Sequence, residues 1–274
     1  YSFTGPMSGV DVNEQFKYII TSRGCPHHCT YCCSPAFWGR RTTFRSAIAM
    51  ADMVEHLYRE YGIIYFSIRD DNFTLKRERV LDFCREIRAR GIFPMWNCQS
   101  RVDTIDLEMI VEMKKSGMEH IQFGVESGSP AILKQYDKSI DTGAVVRATL
   151  AARRAGVYLS VYLMNGMHGE HAEDVNRTIA LIRKTLPGDG IVSPVAWYPG
   201  TALYNHDRDK GLVADRDWFD SHEPGLFLRQ DRQAADGFYR ILQELESIRE
   251  KSWYRGNDFK KHREVDEGAW VREI

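Results

Sequence analysis

One pattern recurs along this chain: an amphipathic helix stops at a glycine, and a β-rich segment follows at once. The first helix begins at Ser46, a good N-cap, and places Met50, Val54, Leu57 and Tyr61 on one face. Gly62 ends it, because glycine takes the left-handed conformation after a helix without a Cβ clash; Ile63–Ile68 then reads as a buried strand. A second helix carries Val80, Phe83, Cys84 and Ile87, stops at Gly91 and leads to Phe93–Cys98. A third carries Leu107, Ile110 and Val111, stops at Gly117 and leads to His120–Val125. A fourth carries Val145, Val146 and Leu150, stops at Gly156 and leads to Val157–Met164. A fifth carries Val175, Ile179, Ile182 and Leu186, stops at Pro187-Gly188 and leads to Ile191–Trp197. With Tyr18–Thr21 as a strand ahead of them, the alternation demands a parallel sheet with right-handed crossovers.

Two architectures satisfy it, an open doubly wound sheet and a barrel-like one. A doubly wound nucleotide binder shows a glycine-rich turn after its first strand, whereas here the turn is Ser22-Arg23-Gly24-Cys25. The expected fold is therefore α/β, a partial (β/α)6 TIM-like barrel of parallel strands over residues 17–203. Residues 1–16 form an N-terminal segment. Residues 204–274 form a C-terminal extension, helical around 233–252, where Phe238, Leu242, Leu245 and Ile248 repeat. Tyr198–Arg232, with Pro199, Gly200, Pro224 and Gly225, reads as irregular, and the charged stretch Arg255–Ile274 as loosely ordered. In barrels the chemistry sits at the C-terminal ends of the strands, so those ends supply the candidates.

Composition narrows the classes. A chain of 274 residues, 43% hydrophobic, supports one large core. Lys and Arg number 37 against 38 acidic residues, net charge −1, without the basic excess that phosphate binding usually needs. There is no apolar run long enough for a membrane span and no signal-peptide core near the N-terminus. Four of the six cysteines fall between Cys25 and Cys33. A disulfide framework spreads its cysteines, so the cluster points to a metal in a reducing compartment, the cytoplasm. The first residue is Tyr rather than Met, which reads as a fragment of a longer protein.

Residues 24–35 read Gly-Cys-Pro-His-His-Cys-Thr-Tyr-Cys-Cys-Ser-Pro, a C-x3-C-x2-C spacing directly after the first strand. Thiolates suit iron–sulfur clusters or zinc. Three on one loop can grip three irons of a cubane and leave the fourth without a protein ligand. Alternatively Cys25, Cys29 and Cys32 with His27, His28 or Cys33 supply a closed zinc site, although a structural zinc normally stabilises a smaller module than this one. The spacing alone leaves both open.

The C-x3-C-x-aromatic-C pattern after the first strand of a βα barrel resembles the radical S-adenosylmethionine superfamily. The resemblance implies that Cys25, Cys29 and Cys32 hold a [4Fe–4S] cluster whose open iron is chelated by S-adenosylmethionine, and that Tyr31 packs near the adenine. It also assigns the other strand ends. In Arg69-Asp70-Asp71-Asn72-Phe73-Thr74, Asp70 and Asp71 would meet an ammonium; the plainer reading is an Asp-Asn turn capping the next helix. In Phe123-Gly124-Val125-Glu126-Ser127-Gly128, Glu126 and Ser127 would contact the ribose or methionyl part, against a reading as a helix cap. In Asn165-Gly166-Met167-His168-Gly169-Glu170, Gly166 and Gly169 would let the backbone approach the adenine, and His168 stands where the family has proline. Tyr198, in Tyr-Pro-Gly-Thr, would close the adenine site; a plain turn explains those residues equally. Cys33 falls outside the pattern and reads as a small thiol, and His168 as a turn histidine. The resemblance spans Phe16 to Leu203 and assigns no residue that acts on the substrate.

With Gln99-Ser100-Arg101-Val102-Asp103, the same segments resemble the cobalamin-binding branch of that superfamily, whose members carry a Rossmann-like cobalamin domain ahead of the radical core. Cobalamin is then expected through a domain upstream of Tyr1. The implied reaction is reductive cleavage of S-adenosylmethionine to a 5′-deoxyadenosyl radical, used in methylation or rearrangement of a small molecule. The electron would come from a donor such as flavodoxin or ferredoxin. A methylthiotransferase acting on RNA or protein is a second reading, and would prefer a basic C-terminal module and further cysteines. A non-catalytic zinc or iron–sulfur binding domain is a third.

Overall fold

A computed structural model describes residues 10–220 and 226–251. The expectations for residues 1–9, for Pro224-Gly225 and for Arg255–Ile274 fall outside the described residues. Strands β1 (Phe16–Ile19), β2 (Tyr65–Ile68), β3 (Met95–Arg101), β4 (Met118–Glu126), β5 (Tyr158–Asn165) and β6 (Asp189–Pro194) form one sheet in that order, every neighbouring pair parallel. Helices α1 (Ala47–Tyr61), α2 (Arg77–Ala89), α3 (Leu107–Lys115), α4 (Thr142–Arg154) and α5 (Ala172–Thr185) make the crossovers. The strand order never reverses, as it must in a doubly wound sheet, so the partial barrel is the architecture.

Local chemistry explains the element ends. Ser46 Oγ accepts from the amide of Ala49 at 3.1 Å, Asp106 from Met109 at 2.9 Å and Asp141 from Ala144 at 2.7 Å, each filling an orphan donor of a first helical turn. Gly62, Gly91, Gly117 and Gly156 all have positive φ.

Three of the boundaries that differ from the sequence reading have a local cause. The first strand ends at Ile19 rather than Thr21, because the Thr21 amide turns aside to donate to Asp70 Oδ1 at 2.6 Å. Helix α5 ends on Leu186 in the left-handed region (φ 45°), and the Gly188 amide already donates to Leu159 O at 2.8 Å. The last sheet strand therefore starts at Asp189, and Ala196–Trp197 pairs antiparallel with Leu226–Phe227 instead. Within the segment expected to be irregular, Thr201 caps a helix over Ala202–Asp209, and Asp215–Phe219 forms another. Helix α6 (Arg232–Lys251) then packs across β6 and α5, and its Ile241, Leu245 and Ile248 join the main core. Among the described residues no helix is long and apolar enough to cross a membrane.

The two faces of the sheet differ in kind. Ile68, Cys98, Ile121, Phe123, Leu159, Val161 and Val192 belong to one buried cluster with the apolar stripes of the helices. The alternate positions Gln99, His120, Gln122, Ser160, Tyr162 and Asp189 line a cavity of about 710 Å³. Parallel strands covered on both faces read as continuous apolar runs. Here the inner face is polar because it walls a cavity instead of packing.

Candidate functional site

The cysteine loop leaves β1 and is tied down at both ends. Asp71 Oδ2 accepts from the Gly24 amide at 3.0 Å and from Ser34 Oγ at 2.9 Å, clasping the residues that flank the three cysteines. Gly24 has φ +87°, and the Arg41 carbonyl occupies the place of a Cβ there, so both backbone and space require glycine. Mid-loop, the Thr30 amide donates to Tyr136 O at 2.9 Å, and Thr30 O accepts from Leu203 at 2.8 Å.

Asp70 is held by the chain's own groups. Its carboxylate is buried (1% exposed) and fully engaged: Oδ1 takes the Thr21 amide, Oδ2 takes Thr21 Oγ1 at 2.5 Å and Ser22 Oγ at 2.6 Å, and Arg79 lies 3.5 Å away. The desolvation cost of the buried Asp70 carboxylate is offset by the chain's own hydroxyls and guanidinium. Asp71 stays exposed, but one of its oxygens serves the loop.

Cys25, Cys29, Cys32 and Cys33 are free and partly buried. Burial raises the Cys25 thiol and pushes Cys32 up to about 11, and the neighbouring Cys29 adds to both. Two N–H groups point at sulfur: Ser34 N lies 3.4 Å from Cys32 Sγ, and Arg101 Nη1 lies 3.8 Å from Cys29 Sγ. Arg101 is itself buried and doubly bonded to Asp103, at 2.9 and 2.8 Å. The sequence reading gave Arg101 no role; the signal was a cation on the inward side at the C-terminal end of β3. Among the described residues no three His, Cys, Asp or Glu side chains converge on one point. A cubane does not ask for convergence, since each thiolate takes a different iron. Three cysteines on one loop, with N–H donors already aimed at two of the sulfurs, form a donor set that would suit a cluster.

Tyr31, Glu126 and Tyr198 come together on the cavity. Glu126 follows a break in the β4–β5 register and has φ +66°, an uncommon conformation for a residue with a side chain. Its Oε1 accepts from Tyr31 Oη at 2.9 Å and from Lys138 Nζ at 2.7 Å. Gly124 leaves room for that pair, because a Cβ there would lie 2.8 Å from both the carboxylate and the ammonium. The Tyr31 ring meets Tyr136 edge-on at 5.1 Å. Burial and the adjacent Glu126 hold the Tyr31 phenol well above its usual range, so it stays a donor.

The remaining candidates sit elsewhere. Ser127 is buried against α5, with Thr178 Oγ1 at 3.3 Å, and its Oγ accepts from the Ser129 amide at 3.1 Å. Gly166 and Gly169 both have positive φ. The turn they build folds around Glu170, whose Oε2 accepts from the Gly166 amide at 2.5 Å, and Gly166 faces Ala234 and Arg229 near α6. His168 Nε2 contacts Asp207 at 2.8 Å; Asp207 also takes Trp197 Nε1 at 2.7 Å and His206 at 2.9 Å. His168 is therefore a turn histidine that pins the helix over Ala202–Asp209.

Residues 19–182 match the family model of the radical SAM superfamily. The chain belongs to that family. As a radical SAM enzyme it shares 30% identity over 203 residues with an uncharacterized methyltransferase of Pyrococcus horikoshii, covering 74% of this chain and 44% of that protein. It shares 27% with the anaerobic magnesium-protoporphyrin IX monomethyl ester cyclase of Cereibacter sphaeroides, covering 71% of this chain and 32% of that protein. The chain thus spans less than half the length of these curated relatives. Among solved structures, the radical S-adenosylmethionine methyltransferase TsrM from Kitasatospora setae, with cobalamin and a [4Fe–4S] cluster bound, superposes with a TM-score of 0.71 at 17% identity, over 89% of this chain and 52% of that one. That likeness is one of fold.

Within this radical SAM barrel the inner wall is the part that sequence reasoning passed over. Gln99, Gln122, Ser160 and Asp189 stand in one register row across β3 to β6. Ser160 Oγ joins His120 Nε2, at 2.7 Å, to Asp189. Tyr162 Oη donates to Gln122 Oε1 at 2.9 Å. The detectable signal was a polar residue at every second position of strands that otherwise resemble buried parallel ones.

Proposed function

We propose that Cys25, Cys29 and Cys32 hold a [4Fe–4S] cluster and that S-adenosylmethionine binds beside it, in a core that performs methyl transfer or ring formation on a small molecule with the help of cobalamin. The observation that carries the reading is the cysteine loop itself: three thiols on one loop after β1, two of them facing N–H donors, with Tyr31 from the same loop lining the cavity. When bound, the cluster supplies the single electron that splits a C–S bond of S-adenosylmethionine and yields a carbon radical able to take hydrogen from substrate.

The chain's own groups have separable tasks. Asp71 and Gly24 keep the loop in shape, and Arg101 and Ser34 direct N–H groups at sulfur. Glu126, held by Lys138 and Tyr31, presents a carboxylate suited to hydroxyl groups such as those of a ribose. Tyr198 and Tyr31 flank the upper cavity, where aromatic faces accept a flat base. The enclosing half-barrel keeps water from the reacting centre. Residues 17–203 are the radical core in this account, with 204–274 an extension whose helix completes the packing. An external one-electron donor, flavodoxin- or ferredoxin-like, and a reducing cytoplasmic setting complete it.

Cobalamin use is supported by the methyltransferase and cyclase names among the relatives and by cobalamin bound in the TsrM structure. The products decide. Reduced protein given S-adenosylmethionine, cobalamin and cell extract is expected to release S-adenosylhomocysteine along with 5′-deoxyadenosine if methyl transfer occurs. Release of 5′-deoxyadenosine alone favours ring formation, and release of neither contradicts the proposal.

A further inference from the structure

We propose that the inner wall of the half-barrel holds a carboxylate-binding subsite anchored on Arg69, which takes the acidic end of the substrate. This rests on the reading of the upper cavity as the cofactor site. Arg69 follows β2 directly and lines the same cavity as Gln99, Gln122, Ser160 and Asp189. That row lies two residues earlier along β3 than Arg101, so it sits about 7 Å deeper than the cysteine-facing end.

The guanidinium is held in a defined orientation. It lies over the Tyr18 ring at 5.0 Å and hydrogen-bonds to Tyr162. Tyr162 is braced in turn by Gln122 at 2.9 Å and Gln99 at 3.4 Å. A planar guanidinium lying over an aromatic ring and bonded to a phenol offers donors that match the two oxygens of a carboxylate, which a flexible ammonium does not.

The rest of the wall sets the polarity. His120 contributes no positive charge, because burial and the Arg69 field push it down to about 3. Asp189 already takes the Ser160 hydroxyl and bonds Tyr158. The wall thus runs from a cation beside β2 to a carboxylate on β6, with neutral amides and hydroxyls between. An acidic ligand has its favourable end at Arg69 and is repelled at Asp189, so it enters in one orientation. Leu163, Met164 and Ile191, which also line the cavity, suit an apolar framework behind the acid group. The ligand class is a carboxylate on an apolar or aromatic body, within a cavity of about 710 Å³ shared with the cofactor.

The test uses the full chain and a matched probe pair, 4-phenylbutyrate and 4-phenylbutyramide, with affinities read by ligand-observed NMR beside S-adenosylmethionine affinity and iron content. The parent protein is expected to prefer the carboxylate. Arg69→Gln should lose about ten- to a hundredfold of carboxylate affinity and leave amide and S-adenosylmethionine affinities alone, while Arg69→Lys keeps part of the preference. Equal binding of acid and amide by the parent overturns the subsite, as does an Arg69→Gln protein that binds the acid unchanged or loses S-adenosylmethionine instead. A parent protein that prefers the acid yet holds no iron would leave the subsite standing and remove the radical-enzyme reading, so the two failures are distinguishable.

Discussion

The ion pair of Arg101 and Asp103 should set the reduction potential of a cluster on the cysteine loop. Arg101 Nη1 lies 3.8 Å from Cys29 Sγ, and Asp103 is bonded to the far side of the same guanidinium. Reduction adds a negative charge to the cubane, so the cation favours the reduced form and the carboxylate opposes it. For unit charges about 6 and about 9 Å apart and an effective dielectric of about 20, Coulomb's law gives about 2.8 and about 1.8 kcal/mol. At about 59 mV per 1.36 kcal/mol for one electron, these are about 120 and about 80 mV. Arg101→Gln should therefore lower the midpoint by about 120 mV, Asp103→Asn should raise it by about 80 mV, and the double variant should lie about 40 mV below the parent. Anaerobic redox titration followed by EPR of the reduced cluster reads all three. If Arg101→Gln leaves the midpoint in place or raises it, the guanidinium is not acting on the cluster.

Other consequences are more easily checked. Ala at Cys25, Cys29 or Cys32 should abolish cluster assembly on reconstitution while the circular dichroism spectrum stays largely intact; Ala at Cys33, Cys84 or Cys98 should leave iron content unchanged. Asp70→Asn breaks a buried pair with Arg79 and should cost about 3–5 kcal/mol of stability, seen as a lowered urea midpoint, with S-adenosylmethionine affinity per folded molecule unaltered. His120 titrates near 3 in the folded chain against its usual 6.5. Between those values the unfolded chain binds a proton that the folded one refuses, so this stability is complete above about pH 6.5 and falls by about 1.4 kcal/mol per unit below it. Urea midpoints of His120→Gln across pH 5–7 should show a shallower slope than those of the parent.

The sheet order and the helix ends were legible because each rests on local chemistry: an apolar stripe of period 3.6, a capping side chain, a glycine at a left-handed position. Strand ends were less so, because they depend on where a partner strand stops. Ala196–Trp197 reads like a continuation of β6 yet pairs with Leu226–Phe227, a partner so distant in sequence that no local pattern announces it. The same distinction divides the site. The cysteine loop stands in sequence as a spacing with Tyr31 in its aromatic slot, and Glu126 as a strand-end residue. That Asp70 spends its charge on Thr21, Ser22 and Arg79 is a tertiary fact, since Thr21 and Asp70 are 49 positions apart. Arg69 and the polar inner row were readable in principle. Their alternation is diluted by apolar residues in the same strands, such as Leu163 and Met164, that also line the cavity.

The measurement that bears most directly on the central claim is metal and sulfide analysis of the chain after anaerobic reconstitution, together with EPR of the reduced sample before and after S-adenosylmethionine is added. The account predicts about four irons and four sulfides per chain. It also predicts a reduced-cluster signal that changes shape when S-adenosylmethionine reaches the open iron, and 5′-deoxyadenosine in the quenched sample. Stoichiometric zinc without sulfide, or a cluster whose signal ignores S-adenosylmethionine and yields no 5′-deoxyadenosine, would contradict it.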